Sequence, residues 1–346
     1  MRILQIARID TFRYWQEGIN PSHWLYGAAE MVKDGHDVVC EDESHALWND
    51  CRLVTKHHPD VVFIPNLNLR NHLLLLLLSA LGLMRVPIFA FLHHEPKVKR
   101  GCKSMLYKLL LKAPRHLFFL STKTMEETVK AGLVDKSKCS VPYWGPDMDF
   151  YGKVKTGDDG YFVSTGKENR DFDILIEAFR RTGAPLKIMT ARSHAGTDYT
   201  DLQEKCKDIP NIKVVMTENS GHVYPQMLEA MANARALVCP LRKDRLNYCV
   251  GLSTIADALG LHKPLIITCN PYHDEAYLEG MNVVESVDDW VKAIETICHS
   301  DGAELPVASD ISMQNCWNRM KDVWVERKNS EKLPSDGSVL VERKKQ

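Results

Sequence analysis

The stretch 250–268, VGLSTIADALGLHKPLIIT, holds the residues whose types and spacing most invite chemistry. Gly251 lets a backbone come close to a ligand. Leu252, Ser253 and Thr254 open a helical segment, and Asp257 follows among apolar neighbours. Free N–H groups at a helix start attract anions, and a carboxylate on the same helix accepts hydrogen bonds from hydroxyls. The combination describes a seat for a phosphate with a sugar beside it, as in a nucleotide or nucleotide-sugar. The competing account is an ordinary α/β repeat with a glycine turn, because Gly-Ser-Thr loops are common.

A departing diphosphate gathers negative charge that cations, helix-end amides or a metal must offset. Gly166 is followed by Lys167, Asn169 and Arg170 on one loop, and Arg192 follows a strand-like run. A guanidinium meets phosphate bidentately. Lys167 and Arg170 are therefore candidate site cations, weighed against a solvated loop. Asp147-Met148-Asp149 and Asp171-Phe172-Asp173 have the spacing of an Asp-x-Asp metal site. The first lies in a turn-rich linker and the second at a helix start that favours Asp anyway, so no metal is expected. His93 and His94 end an apolar run and are candidates for catalysis or for capping. No third ligand is spaced to make them a metal pair.

These side chains must be positioned by a scaffold. The chain has 346 residues, enough for two domains of ordinary size, with 45% hydrophobic and 26% charged residues. Its net charge of −1 gives no overall field for nucleic acid. Ten scattered cysteines without a CxxC pair fit reduced thiols in a cytosol. The opening MRILQIARID reads as a strand rather than a signal peptide. The apolar run 72–92 is interrupted by Gly82, Arg85 and Pro87, short of the ~20 residues a spanning helix needs. Six leucines, Leu73 to Leu78, cover every face of a helix there, which must be buried or touch lipid or a partner.

Apolar runs bounded by turn residues alternate with helical patterns along the chain. Strands are expected at 2–9, 37–40, 61–64, 87–92, 116–120 and 140–142, with a long loop over 10–21. Ser22 would cap a helix 23–34 and Thr122 a helix 125–131; other helices fall at 47–56, 71–83 and 104–111. The Gly-, Pro- and Asp-rich segment 143–160 reads as a linker. A second series has strands at 161–163, 186–190, 212–216, 236–240 and 265–268. Its helices fall at 172–182, 201–208, 224–233, 255–261 and 287–300. A terminal helix 313–326 and a charged tail with little to bury complete the chain. The expectation is α/β, with two doubly wound domains: 1–150, 151–312, and a terminal helix and tail over 313–346.

Three segments resemble group 1 (GT4-like) glycosyltransferases. PYWGPDMDF at 142–150 is similar to the family's handover between domains. VSTGKENRDFDILIEAF at 163–179 is similar to the strand, glycine loop, arginine and helix that open its donor domain. The stretch from Gly251 to Pro264 is similar to its donor-site loop and helix. Two departures stand out: Cys249 occupies the neighbourhood of the family's first acid, and His262-Lys263-Pro264 replaces Gly-x-Pro. Asp257 stands where the second acid is expected.

The resemblance implies the GT-B fold, two Rossmann-like domains facing a cleft. It implies transfer of a sugar from a nucleoside diphosphate to a glycan or lipid-linked glycan, retaining and without an obligatory metal or other cofactor. Polysaccharide biosynthesis in the cytoplasm, with contact to the inner face of a membrane as a further option, would be the setting. The donor side would comprise Gly166, Lys167, Asn169, Arg170, Arg192, His222, Val223, Gly251, Leu252, Ser253, Thr254 and Asp257. His93, His94, Lys167 and Arg170 are the catalytic candidates, and Tyr14, Trp15 and Gly18 would face the acceptor. The rivals are a nucleotide-sugar epimerase on the same fold and a non-catalytic nucleotide-sugar-binding relative. A dehydrogenase lacks support because no G-x-G-x-x-G follows the first strand.

Overall fold

The computed structural model describes residues 1–97, 101–194, 197–218, 221–299, 305 and 310–329. Strands β1 (Arg2–Ile6), β2 (Asp37–Glu41), β3 (Val61–Ile64), β4 (Ile88–Leu92), β5 (His116–Phe119) and β6 (Cys139–Ser140) form one sheet. Their order is β2-β1-β3-β4-β5-β6 and every pairing is parallel. After β7 (Phe162–Thr165) and β8 (Leu186–Ala191) comes a small antiparallel hairpin, β9 (Ser193–His194) and β10 (Thr197–Asp198). The second sheet then adds β11 (Ile212–Thr217), β12 (Ala236–Cys239), β13 (Leu265–Thr268) and β14 (Asn282–Val284). Its order is β11-β8-β7-β12-β13-β14, again all parallel.

Parallel sheets need cover on both faces, so their central strands are continuous apolar runs. Val61–Ile64, Ile88–Leu92, Ala236–Cys239 and Leu265–Thr268 are buried along their whole length. One buried cluster runs from Ile3, Phe63 and Phe91 of the first sheet through Trp144 and Tyr151 to Ile255 and Ile267 of the second. The two lobes thus share apolar core. In each sheet the chain leaves one strand in opposite directions, at β1/β3 and at β7/β12, and ligands of open α/β sheets bind outside the strand ends at such switch points.

The terminal helix Met313–Asn329 belongs to the first lobe in space. Trp317 donates Nε1–H to Asp34 Oδ2 at 2.8 Å, and Trp324 packs on Phe89 with centroids 4.7 Å apart. Asp34 is held below the usual carboxylate range by the Trp317 and Lys321 donors.

Several expected elements differ. Residues 10–21 are not all loop: Ile9–Gln16 is a helix that buries Tyr14. The expected helix 23–34 is broken into a 3₁₀ turn, Ser22–Leu25, and a helix Ala28–Lys33. Tyr26 and Gly27 lie between them with φ of 54° and 105°, which no right-handed helix accommodates. Ser22 does not cap; its hydroxyl donates to the buried Glu30 at 2.7 Å. The Thr122 cap is displaced by one, since Ser121 Oγ accepts from the Thr124 amide. The linker contains a short helix, Met148–Tyr151, capped by Asp147. Strand β14, unseen in the sequence pattern, is only three residues long. The charged tail beyond residue 329 lies outside the described residues.

Candidate functional site

A cavity of about 370 Å³ opens in the cleft between the sheets. From the second lobe it is lined by the loop after β7, the ends of β8 and β11, and the segment Tyr248 to Asp257. From the first lobe come Trp24, Tyr26, His93 and Leu120, and from the linker Trp144.

The loop after β7 is built around one side chain. Gly166 has φ 97°, and a Cβ there would lie 2.7 Å from Arg170 Nη2. Arg170 is 5% exposed and folds back into its own loop. Its Nη1 donates to the Glu168 carbonyl at 2.8 Å and its Nη2 to the Thr165 carbonyl at 3.3 Å. Nη2 also donates to Thr254 Oγ1 at 3.2 Å, tying the loop to the helix Leu252–Leu261. Arg170 Nε is buried without a partner among the described residues. Lys167 beside it is half-buried, and burial and Arg8 of the first lobe lower its ammonium below the usual lysine value.

The helix Leu252–Leu261 starts at Gly251, whose φ of 95° turns the chain into it. A side chain there would meet Cys239 Sγ and Leu241 Cδ1, both 3.3 Å away. Cys249, just upstream, is buried in the cavity wall with its thiol pushed up to about 12 by burial. Asp257, one turn into the helix, accepts two hydrogen bonds on Oδ1, from Tyr151 at 2.6 Å and Tyr224 at 2.9 Å. The two phenols are 2.7 Å apart. Burial raises the Asp257 carboxyl to about 6 against the lowering effect of both tyrosines. Oδ2 takes none of the bonds found among the described residues.

The first lobe closes on this arrangement with aromatic rings. Trp24 meets Tyr224 edge-on at 4.7 Å, and His23 stacks on Tyr151 at 6.0 Å. His93 donates Nε2–H to the Pro65 carbonyl at 2.9 Å, and burial lowers it to about 4, so it is a neutral imidazole at neutral pH. Tyr14 and His222 join across the cleft at 2.9 Å.

The sequence matches no protein-family model and no curated protein. Solved structures do. The UDP-GlcNAc 2-epimerase from Neisseria meningitidis, bound to UDP-GlcNAc, is similar over 94% of this chain and 100% of its own, with TM-score 0.57 and 10% identity. HepE from Anabaena, in complex with UDP, matches over 95% and 98% with TM-score 0.55 and 13% identity. AviGT4, a glycosyltransferase involved in avilamycin A biosynthesis, matches over 88% of both chains with TM-score 0.59 and 10% identity. This chain has the GT-B fold.

Within the GT-B frame, the structure brings His93, Gly166, Lys167, Arg170, Val223, Gly251, Leu252, Ser253, Thr254 and Asp257 to one cavity. It does not bring the other candidates there. Asn169, with φ 52°, turns its side chain to the Arg242 carbonyl at 3.4 Å. Arg192 is exposed at the β9 turn. His94 is exposed and sits edge-on to Tyr248 at 4.2 Å. His222 is engaged with Tyr14, and Tyr14, Trp15 and Gly18 do not line the cavity. The first residue of each Asp-x-Asp pair caps a helix, Asp147 Oδ1 accepting from Phe150 and Asp171 Oδ1 from Ile174, and the second pairs with a lysine, Asp149 with Lys33 and Asp173 with Lys205.

Sequence reasoning missed the aromatic half of the site: Trp24, Tyr26, Trp144, Tyr151, Tyr224 and Tyr248. Their types carry no mark that separates a cavity wall from a core. The one available signal was clustering, since Trp144 and Tyr151 lie within the linker segment and Tyr248 precedes Cys249 and Gly251.

Proposed function

We propose that this protein is an enzyme acting on a nucleoside-diphosphate sugar held in the cleft. The observation that carries the reading is Arg170: a buried guanidinium on the cavity wall, fixed to the first turn of the helix Leu252–Leu261, with Nε–H unpartnered among the described residues. A fixed cation beside a helix N-terminus stabilises a pyrophosphate and the charge that grows on it as its bond to the sugar breaks. Lys167 adds a second cation at the same wall. UDP and UDP-GlcNAc complexes among the neighbours of the same fold accord with such a ligand.

The reaction we assign is glycosyl transfer, on the three segments similar to group 1 transferases. The bond between the anomeric carbon and the diphosphate oxygen breaks, and its electron pair leaves with the diphosphate. An acceptor hydroxyl oxygen forms the new bond, and its proton passes to the departing phosphate. His93, Trp24 and Tyr26 of the first lobe face the space left for the acceptor.

A second reading, epimerisation without an acceptor, is favoured by two observations. UDP-GlcNAc 2-epimerases are more frequent than glycosyltransferases among the neighbours. The cavity wall also carries Glu168, Glu218 and Asp257, and the last titrates near 6, suitable for moving a proton at a ring carbon.

One experiment separates the readings. The protein is incubated with UDP-, GDP- and ADP-sugars in deuterated water, with and without a panel of glycan acceptors. Acceptor-dependent release of the nucleoside diphosphate supports transfer. A deuterium-labelled sugar isomer formed without acceptor replaces transfer by epimerisation. Failure of every nucleotide-sugar to bind removes both.

A further inference from the structure

None of the cavity-lining residues belongs to the helices Leu73–Ala80 and Cys102–Leu110, which pack together on the first lobe. Leu75, Leu76 and Leu110 are buried in the core below. The other side of the pair does not look like a solvated surface. Met105 is 74% exposed and Leu83 72%, the two most exposed large apolar residues among those described, and Leu81 and Leu106 are exposed with them. A monomer rarely concentrates its bare apolar side chains on one element pair without a binding role.

The charge around them is as one-sided. Residues 70–115 hold nine Lys and Arg against a single acid, Glu95, in a chain whose net charge is −1. On the second helix Met105 and Lys108, three apart, share a face, and Lys103 and Leu106 share the next. Arg85, Lys103, Lys108 and Lys112 are exposed and form no ion pair among the described residues. Some exposed cations elsewhere do have acidic partners, as in Lys33–Asp149, Lys205–Asp173 and Arg181–Asp288, while Lys153, Lys155 and Lys213 form no ion pair among the described residues.

We propose that this helix pair is a docking surface for an anionic lipid bilayer, into which Leu81, Leu83, Met105 and Leu106 insert while the surrounding lysines meet the headgroups. The charge selects the occupant. A symmetric contact with a second copy would set these unpaired cations against one another. A nucleic acid would engage the cations but leave four large apolar side chains bare. An anionic bilayer satisfies both, because buried apolar area and attraction to acidic headgroups add. No helix among the described residues is long and apolar enough to cross a membrane, so the contact is peripheral.

The test is co-sedimentation of the full chain with vesicles of phosphatidylcholine alone and with about a third phosphatidylglycerol. The proposal expects binding to the anionic vesicles, weakened by salt, and little binding to the neutral ones. Leu83→Asp with Met105→Asp, and separately Lys103→Glu with Lys108→Glu, should each weaken binding by on the order of tenfold or more. Lys205→Glu, on the other lobe, should not. Three results overturn it: no binding to anionic vesicles at low salt, binding that neither variant pair changes, or variants that only dissociate an oligomer or release an oligonucleotide.

Discussion

The Arg170 guanidinium reaches across 84 residues of sequence to donate to the Thr254 hydroxyl at 3.2 Å. This bond joins the loop after β7 to the helix that begins at Gly251, the two elements on either side of the second sheet's switch point. The arginine is thus both a cation of the site and the pin that shapes it. Arg170→Lys keeps the charge but cannot satisfy Glu168, Thr165 and Thr254 together. It should lower stability by about 1–3 kcal/mol, read as a drop in the urea midpoint, and weaken nucleoside-diphosphate binding at least tenfold. A variant as stable as wild type contradicts the pinning role.

Gly260 lies on the helix Leu252–Leu261 where Tyr151 of the linker packs over it. A Cβ there would be 2.2 Å from Tyr151 Cδ2. Gly260→Ala, ordinarily favourable in a helix, should here cost about 1–3 kcal/mol and displace Tyr151 from Asp257. Thermal unfolding measures it, and an unchanged or raised melting temperature refutes the close packing.

The Asp257 carboxyl is raised to about 6 by burial and lowered by the Tyr151 and Tyr224 hydroxyls. Tyr224→Phe removes one donor, so the carboxyl should move higher still. If Asp257 works ionised, the acid limb of the pH profile for nucleotide-sugar turnover should shift to higher pH in this variant. An unmoved limb would mean that Asp257 does not govern it.

Acid should destabilise the fold. His23, His93 and His273 are neutral in the native state, lowered by burial to about 3, 4 and 4. Unfolding frees each to take a proton below about 6.5, so the unfolded chain binds more protons there and native stability falls as pH drops from about 6.5 towards about 4. Asp257, Glu30 and Asp274 work oppositely, since burial raises their carboxyls and the native form keeps the proton longer than the unfolded one, but His36, His94 and His194 are lowered by burial as well, making six histidines against three carboxyls. Melting temperature should decline from about pH 7 to about pH 4.5, and less steeply for His273→Gln, whose amide can still bond the Val250 carbonyl. A flat profile for wild type contradicts this.

The parallel sheets were legible because strands buried on both faces must be short apolar runs, as at Val61–Ile64 and Leu265–Thr268. The glycine loop and the helix start were legible because few backbones need Gly166 and Gly251 at positive φ. What stayed hidden is what depends on distant partners. Arg170 reads as a loop charge until Thr254 is placed beside it, and Asp257 as a free acid until two tyrosines from 33 and 106 residues away converge on it. The helix Ile9–Gln16 was hidden because Tyr14 is its one buried residue, too little for a visible apolar stripe.

The central claim is that the cleft of the second lobe holds a nucleoside diphosphate against Lys167, Arg170 and the helix start at Gly251. Calorimetric titration of UDP, GDP and ADP into wild type and Lys167→Ala tests it most directly, because the Lys167 ammonium makes no hydrogen bond or ion pair among the described residues, and the bond its backbone carbonyl accepts from Tyr199 survives the substitution. The account predicts saturable binding of at least one of these to wild type and a loss of about 1.5–3 kcal/mol in the variant. Equal affinity of the two proteins for the nucleotide that binds would contradict it.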